Sequence, residues 1–69
     1  MSATIRIKYN SPAGEVLQAG KFQLKGRLPE EVAAEWIRKI RRDVYYEGLI
    51  RVIYDGDQDI TDKVKALIE

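Results

Sequence analysis

The side chains able to do chemistry in this chain are hydroxyls, carboxylates and cations, with neither histidine nor cysteine among them. Ser2, Thr4, Ser11 and Thr61 are the candidate nucleophiles, and they fall in terminal, strand, turn and helix-cap contexts. Without an imidazole, the usual acceptor of their proton is missing. Two carboxylates could still share acid and base roles, but the acidic residues gather in turns and on helix exteriors, where burial does not raise a pKa. No glycine-rich phosphate loop is present. The residues point to a non-enzyme with no cofactor.

Asp55-Gly56-Asp57-Gln58-Asp59 imitates the start of a calcium loop, in which alternate side chains supply oxygens. The pattern then breaks, with Ile60 at the place of the obligatory glycine and Ala66 at the place of the closing glutamate. A solvated turn followed by a helix cap accounts for the stretch, and no metal site is expected.

Two groups of cations remain. Arg38-Lys39-Ile40-Arg41-Arg42 is the denser. At about 100° per residue, Arg38 and Arg42 share a helical stripe while Lys39 and Arg41 flank it. Glu31 and Glu35 lie on that stripe, so ion pairs along the helix are expected to consume part of the charge. The second group is Arg6, Lys8, Lys21 and Lys25, which share a strand parity with Thr4, Asn10 and Gln23 and have only Glu15 nearby to neutralise them. Single-strand platforms on sheets need exposed rings for base stacking, and here Tyr9 and Phe22 have the opposite, inward parity.

Those positions follow from the elements. Ile5, Ile7 and Tyr9 alternate with Thr4, Arg6, Lys8 and Asn10, which is the period of a half-buried strand. Ser11-Pro12-Ala13-Gly14 is turn chemistry. A second strand runs from near Glu15 to before Gly26, with Leu17 and Ala19 on one parity and Phe22 and Leu24 on the other; Gly20 lies between them, and a bulge is expected there.

Leu28-Pro29-Glu30-Glu31 opens a helix, with Pro at the first position and carboxylates in the first turn. Val32, Ala33, Trp36, Ile37, Ile40 and Val44 form its apolar stripe. Tyr45 and Tyr46 close it, one of them exposed as an anchor for a partner, and Gly48 is expected to end it in the left-handed conformation. Leu49 to Asp55 forms a third strand, with Ile50, Val52 and Tyr54 on one face and Leu49, Arg51 and Ile53 on the other. Asp55-Gly56-Asp57 turns the chain into a short fourth strand. Thr61 or Asp62 then caps a terminal helix of about two turns whose apolar side is Val64, Leu67 and Ile68.

This is one small α+β domain over residues 1–69, a two-layer sandwich in the order β-β-α-β-(short β)-α, its three- to four-stranded sheet packed on one main helix. By order of elements it resembles the first half of a ubiquitin-like β-grasp. The likeness concerns the fold alone, and the closing Ala66-Leu67-Ile68-Glu69, in place of a Gly-Gly tail, counts against a ubiquitin-type modifier.

Composition narrows the function further. A chain of 69 residues with 45% hydrophobic and 33% charged side chains is globular rather than disordered. No disulfide or thiolate site can reinforce its small core, which makes self-association a natural source of stability. No apolar run exceeds three residues, as at Val32 to Ala34, so no membrane span is expected; the N-terminus lacks a signal-peptide stretch, and the default location is the cytoplasm. Net charge is +1, yet residues 1–27 carry +4 and residues 55–69 carry −3. The expected function is a protein-interaction or regulatory module acting through its sheet face or edge, on a protein partner or on itself as a homodimer. The basic sheet residues Arg6, Lys8, Lys21 and Lys25 are one candidate site; Arg38, Arg42, Tyr45 and Tyr46 are the other. The alternative is weak, sequence-independent nucleic-acid binding through the basic hairpin.

Overall fold

A computed structural model describes residues 2–68. β1 (Ser2–Ser11) and β2 (Gly14–Gln23) form an antiparallel hairpin whose register runs without a break from Ser11 opposite Gly14 to Ser2 opposite Gln23. Pro12 and Ala13 make the two-residue connection, and Gly14 leaves it at φ 122°, a value that favours glycine. After α1 (Pro29–Asp43), β3 (Gly48–Tyr54) lies antiparallel on the other side of β1; β4 (Gln58–Asp59) and α2 (Thr61–Ile68) follow. The sheet order is β2-β1-β3-β4, so this is the small α+β sandwich with a four-stranded antiparallel sheet.

Both helices cover one face of the sheet. Ala3, Ile5, Ile7 and Tyr9 of β1 and Leu49 and Val52 of β3 are buried from the sheet side. Val32, Ala33, Ala34, Ile37 and Ile40 of α1, with Ile60 and Val64 at α2, join them in one core. The helix begins as its sequence dictates: the Leu28 N–H donates to the Glu31 carboxylate at 3.0 Å, and the Leu28 carbonyl accepts from Glu31 and Val32. Trp36 is only half-buried and packs at the rim against Phe22, with ring centroids 4.9 Å apart.

Several expectations change in the folded chain. Gly20 marks no bulge, since β2 keeps a single parity with Val16, Gln18, Gly20 and Phe22 toward the helices and Leu17 and Ala19 toward solvent. What Gly20 provides is room: a Cβ there would lie 2.9 Å from Cε2 of Phe22 and 3.5 Å from Cη2 of Trp36. Gly20→Val therefore forces the Phe22–Trp36 pair apart and is expected to cost about 1–3 kcal/mol by urea denaturation.

The bulge is elsewhere. Between β1 and β3 the register slips at Lys8/Tyr9, pairing Lys8 with Arg51 but Tyr9 with Leu49 and leaving Ile50 as the extra residue. That slip is how Leu49 and Val52, three residues apart, both reach the core, while Ile50 does not share the Val52 side as strict alternation requires.

Nor does Gly48 end the helix. α1 stops at Asp43, Val44 is extended at φ −137°, and Gly48 already pairs with Asn10 in the sheet. The Glu47 N–H donates to the Asn10 carbonyl at 2.8 Å, so the ladder captures the chain before a left-handed cap can form. Val44 is consequently half exposed (46%) rather than part of the apolar stripe, and Leu67 of α2 is likewise exposed (44%). β2 ends at Gln23, and Lys25 takes φ 50° followed by Gly26 at φ 81°, closing a turn in which the Arg27 N–H donates to the Leu24 carbonyl at 2.9 Å.

The two edges of the sheet are treated differently. Beyond the two-residue β4, the free side of β3 is bonded at Val52 by the chain entering α2: the Thr61 hydroxyl accepts from the Val52 N–H at 2.9 Å, and the Ile60 N–H donates to the Val52 carbonyl at 3.0 Å. Thr61 thus serves the sheet rather than capping its own helix. Asp59 takes the cap, its carboxylate accepting from the Thr61 N–H and hydroxyl. These bonds, the hydroxyl first, hold the Asp59 carboxyl below its ordinary pKa, with a smaller contribution from Arg51. At the opposite edge, among the described residues, no strand pairs with β2 beyond β1.

Candidate functional site

With both helices on one face, the other face of the sheet is open. Thr4, Arg6, Lys8 and Asn10 of β1 and Glu15, Leu17, Ala19, Lys21 and Gln23 of β2 line it by parity. β3 adds two residues that hairpin parity alone does not reveal: Arg51 directly opposite Lys8, and Ile53 directly opposite Arg6. Three rows result. Leu17, Lys8 and Arg51 form one, Ala19, Arg6 and Ile53 a second, and Lys21 beside Thr4 a third.

The charge on this face is unevenly compensated. Lys8 pairs with Glu15 at 2.9 Å, both ends exposed. Among the described residues Arg6 and Lys21 form no ion pair. Lys8 and Arg51 face each other as like charges in directly opposed positions, an arrangement that costs stability in a sheet. Among the described residues no aromatic ring lies on the face, because Tyr9 and Phe22 turn to the core. Lys25 does not extend it, since its left-handed backbone takes it out of the strand alternation. Arg51 was legible only through its opposite partner, which requires knowing that β3 returns beside β1.

The second group of candidate residues lies in the helix layer, away from the open face. The Arg38 guanidinium donates to the Leu67 carbonyl at 3.0 Å, tying α1 to the C-terminal end of α2. Glu35 pairs with Arg27 at 2.6 Å instead of with the helix arginines, and Glu31 is spent on the Leu28 N–H. Arg42 is exposed. Tyr46 packs on Tyr9, with centroids 5.6 Å apart, under the guanidinium of Arg41 at 5.7 Å. Tyr45 is the exposed one of the pair, at 82%. It lines a shallow apolar cleft with Pro12, Val16 and Val44.

Two of the four candidate hydroxyls are already engaged in structure: Ser11 donates to the Gly14 carbonyl at 2.9 Å, and Thr61 is held between Val52 and Asp59. Among the described residues no group of three or more acidic side chains is placed to hold a metal ion, and no helix is long and apolar enough to cross a membrane. Comparison with protein families, with curated proteins and with solved structures gives no match.

Proposed function

We propose that the chain is a non-enzymatic interaction module whose open sheet face takes an acidic segment of a partner protein. The observation that carries this reading is a face on which Arg6 and Lys21 have no ion pair and Arg51 stands directly opposite Lys8. An incoming carboxylate relieves the opposition of like charges and finds donors already held by a rigid sheet, so little side-chain ordering is needed beyond the tips. Leu17, Ala19 and Ile53 alternate with the cations and give such a segment apolar contact between charges. The absence of rings on the face favours a peptide over stacked bases.

The test is titration of a labelled Glu/Asp-rich peptide, beside single-stranded and duplex oligonucleotides, at low and moderate salt. Binding of the peptide at low salt is expected, weakening as salt screens it. Arg6→Glu combined with Arg51→Glu is expected to weaken it roughly tenfold, since two exposed contacts worth about 0.2–1 kcal/mol each turn repulsive. No peptide binding at low salt, or tighter binding of either oligonucleotide than of the peptide, overturns the reading.

A further inference from the structure

We infer that β2 pairs with β2 of a second copy of this chain, antiparallel about a twofold axis at Gln18, joining two sheets edge to edge. The inference rests on the reading that the sheet is the contact surface, and it names the edge and a partner that the face does not specify. In β1 the carbonyls of Thr4 and Asn10 accept from Asp55 and Glu47, so the even-numbered backbone groups of β1 serve β3 and the odd-numbered ones serve β2. By the register of the hairpin, the N–H and C=O groups of Glu15, Leu17, Ala19 and Lys21 then face away from β1, along the open edge.

That edge is unusually inviting. It is ten residues long, contains no proline and no register break, and exposes Leu17 at 71%. Folded proteins ordinarily blunt such an edge with a bulge, a proline or an uncompensated lysine. Here the one lysine on it has a match in the same strand. A twofold axis at Gln18 sets Glu15 opposite Lys21 of the second copy and Lys21 opposite its Glu15, all on the open face, with Leu17 opposite Ala19 between them. Each Glu15 is then shared with Lys8 of its own chain, and Arg6 and Arg51 are left for the acidic segment.

The helix-side residues fit in the same register. Val16 meets Gly20 of the second copy and Phe22 meets its Gly14, large set against small, while Gln18 meets Gln18 on the axis. Shifting the axis to Leu17 puts Glu15 opposite Ala19, and shifting it to Ala19 puts Lys21 opposite Leu17. Neither neighbouring register matches the charges. Charge and size together select one occupant and one alignment, a second copy related by an isologous twofold.

Because the chain has no cysteine, single cysteines report the register. Under mild oxidation Gln18→Cys is expected to cross-link as the dominant dimer, because residue 18 faces itself across a close, non-hydrogen-bonded pair. Leu17→Cys and Ala19→Cys, which face each other rather than themselves, are expected to cross-link poorly alone and well when mixed.

Sedimentation equilibrium of the unmodified chain is expected to show a dimer. Lys21→Glu should raise its dissociation constant roughly tenfold, since symmetry places the like-charge contact twice, and Glu15→Lys added to Lys21→Glu should restore it. Circular dichroism of each variant separates loss of pairing from loss of fold, and the double exchange keeps the test decisive if one single variant fails to fold. A monomer at all concentrations up to about 1 mM, preferential Leu17–Leu17 or Ala19–Ala19 cross-links, or no rescue by the double exchange overturns the inference. A monomer that still binds the acidic peptide refutes the edge pairing and leaves the proposed function standing. A dimer that binds no peptide supports the edge pairing and refutes the open-face reading.

Discussion

Ile37→Ala is expected to leave the chain largely unfolded at 25 °C. Ile37 is fully buried (0% exposed) and belongs to the same core as Ile5 and Ile7 of β1, Val52 of β3 and Val64 of α2. It sits where the two layers and the second helix share one apolar volume. Truncation removes its burial and leaves a cavity that a rigid sheet and a short helix cannot close, a loss of about 2–5 kcal/mol. A core of this size yields roughly 3–5 kcal/mol in all without disulfide or metal, so the loss is comparable with the whole. Urea titration followed by the fluorescence of the single tryptophan, Trp36, reads the shift directly. Leu67→Ala, at an exposed position of α2, is the matched comparison and should change stability by less than about 0.5 kcal/mol. Equal effects from the two substitutions would place the core elsewhere.

Thr61→Val is the second large effect, and its cause is polar. Valine keeps the shape but removes the oxygen that accepts from the Val52 N–H, and Val52 is buried with no strand beside it at that point. An unsatisfied buried N–H costs about 1–3 kcal/mol. Thr61→Ser retains the hydroxyl and should recover most of that, which separates the hydrogen bond from packing. Hydrogen exchange at the Val52 amide should accelerate in the valine variant and not in the serine one. The same change removes the largest cause of the lowered pKa of Asp59, whose carboxyl should titrate closer to its ordinary value when followed by NMR. In the unmodified chain that pairing stabilises fully above the ordinary carboxylate pKa and is lost as pH falls through the lowered one.

The parts of the fold legible in the sequence were those fixed by local chemistry. Strict alternation in β1 identified its buried residues, Pro29 and Glu31 identified the start of α1, and Asp55-Gly56 identified a turn. What escaped was set by residues distant in the chain. The slip at Lys8/Tyr9 arises from how β3 seats on β1, so the alternation of β3 alone assigned Leu49 to the wrong face. Gly20 was singled out correctly as special, but its reason is the Phe22 ring lying over it, a neighbour on its own strand face held there by Trp36. Arg38 was expected to pair with carboxylates on its own helix, whereas its acceptor, the Leu67 carbonyl, belongs to another helix. In the candidate site the three strand cations Arg6, Lys8 and Lys21 were visible from parity, whereas Arg51 needed the sheet order.

The bonds that Thr61 and Ile60 make to Val52 would also limit the stoichiometry of anything built by edge pairing. A sheet with two open sides can accept a neighbour on each and so propagate into a fibre. If β2 pairs as inferred above, occupying the other side at Val52 with the chain's own segment would turn an otherwise open-ended polymerisation into a closed pair. Thr61 would in that sense be a chain terminator for assembly, and a variant that frees the Val52 edge would be expected to grow beyond two copies as well as to lose stability.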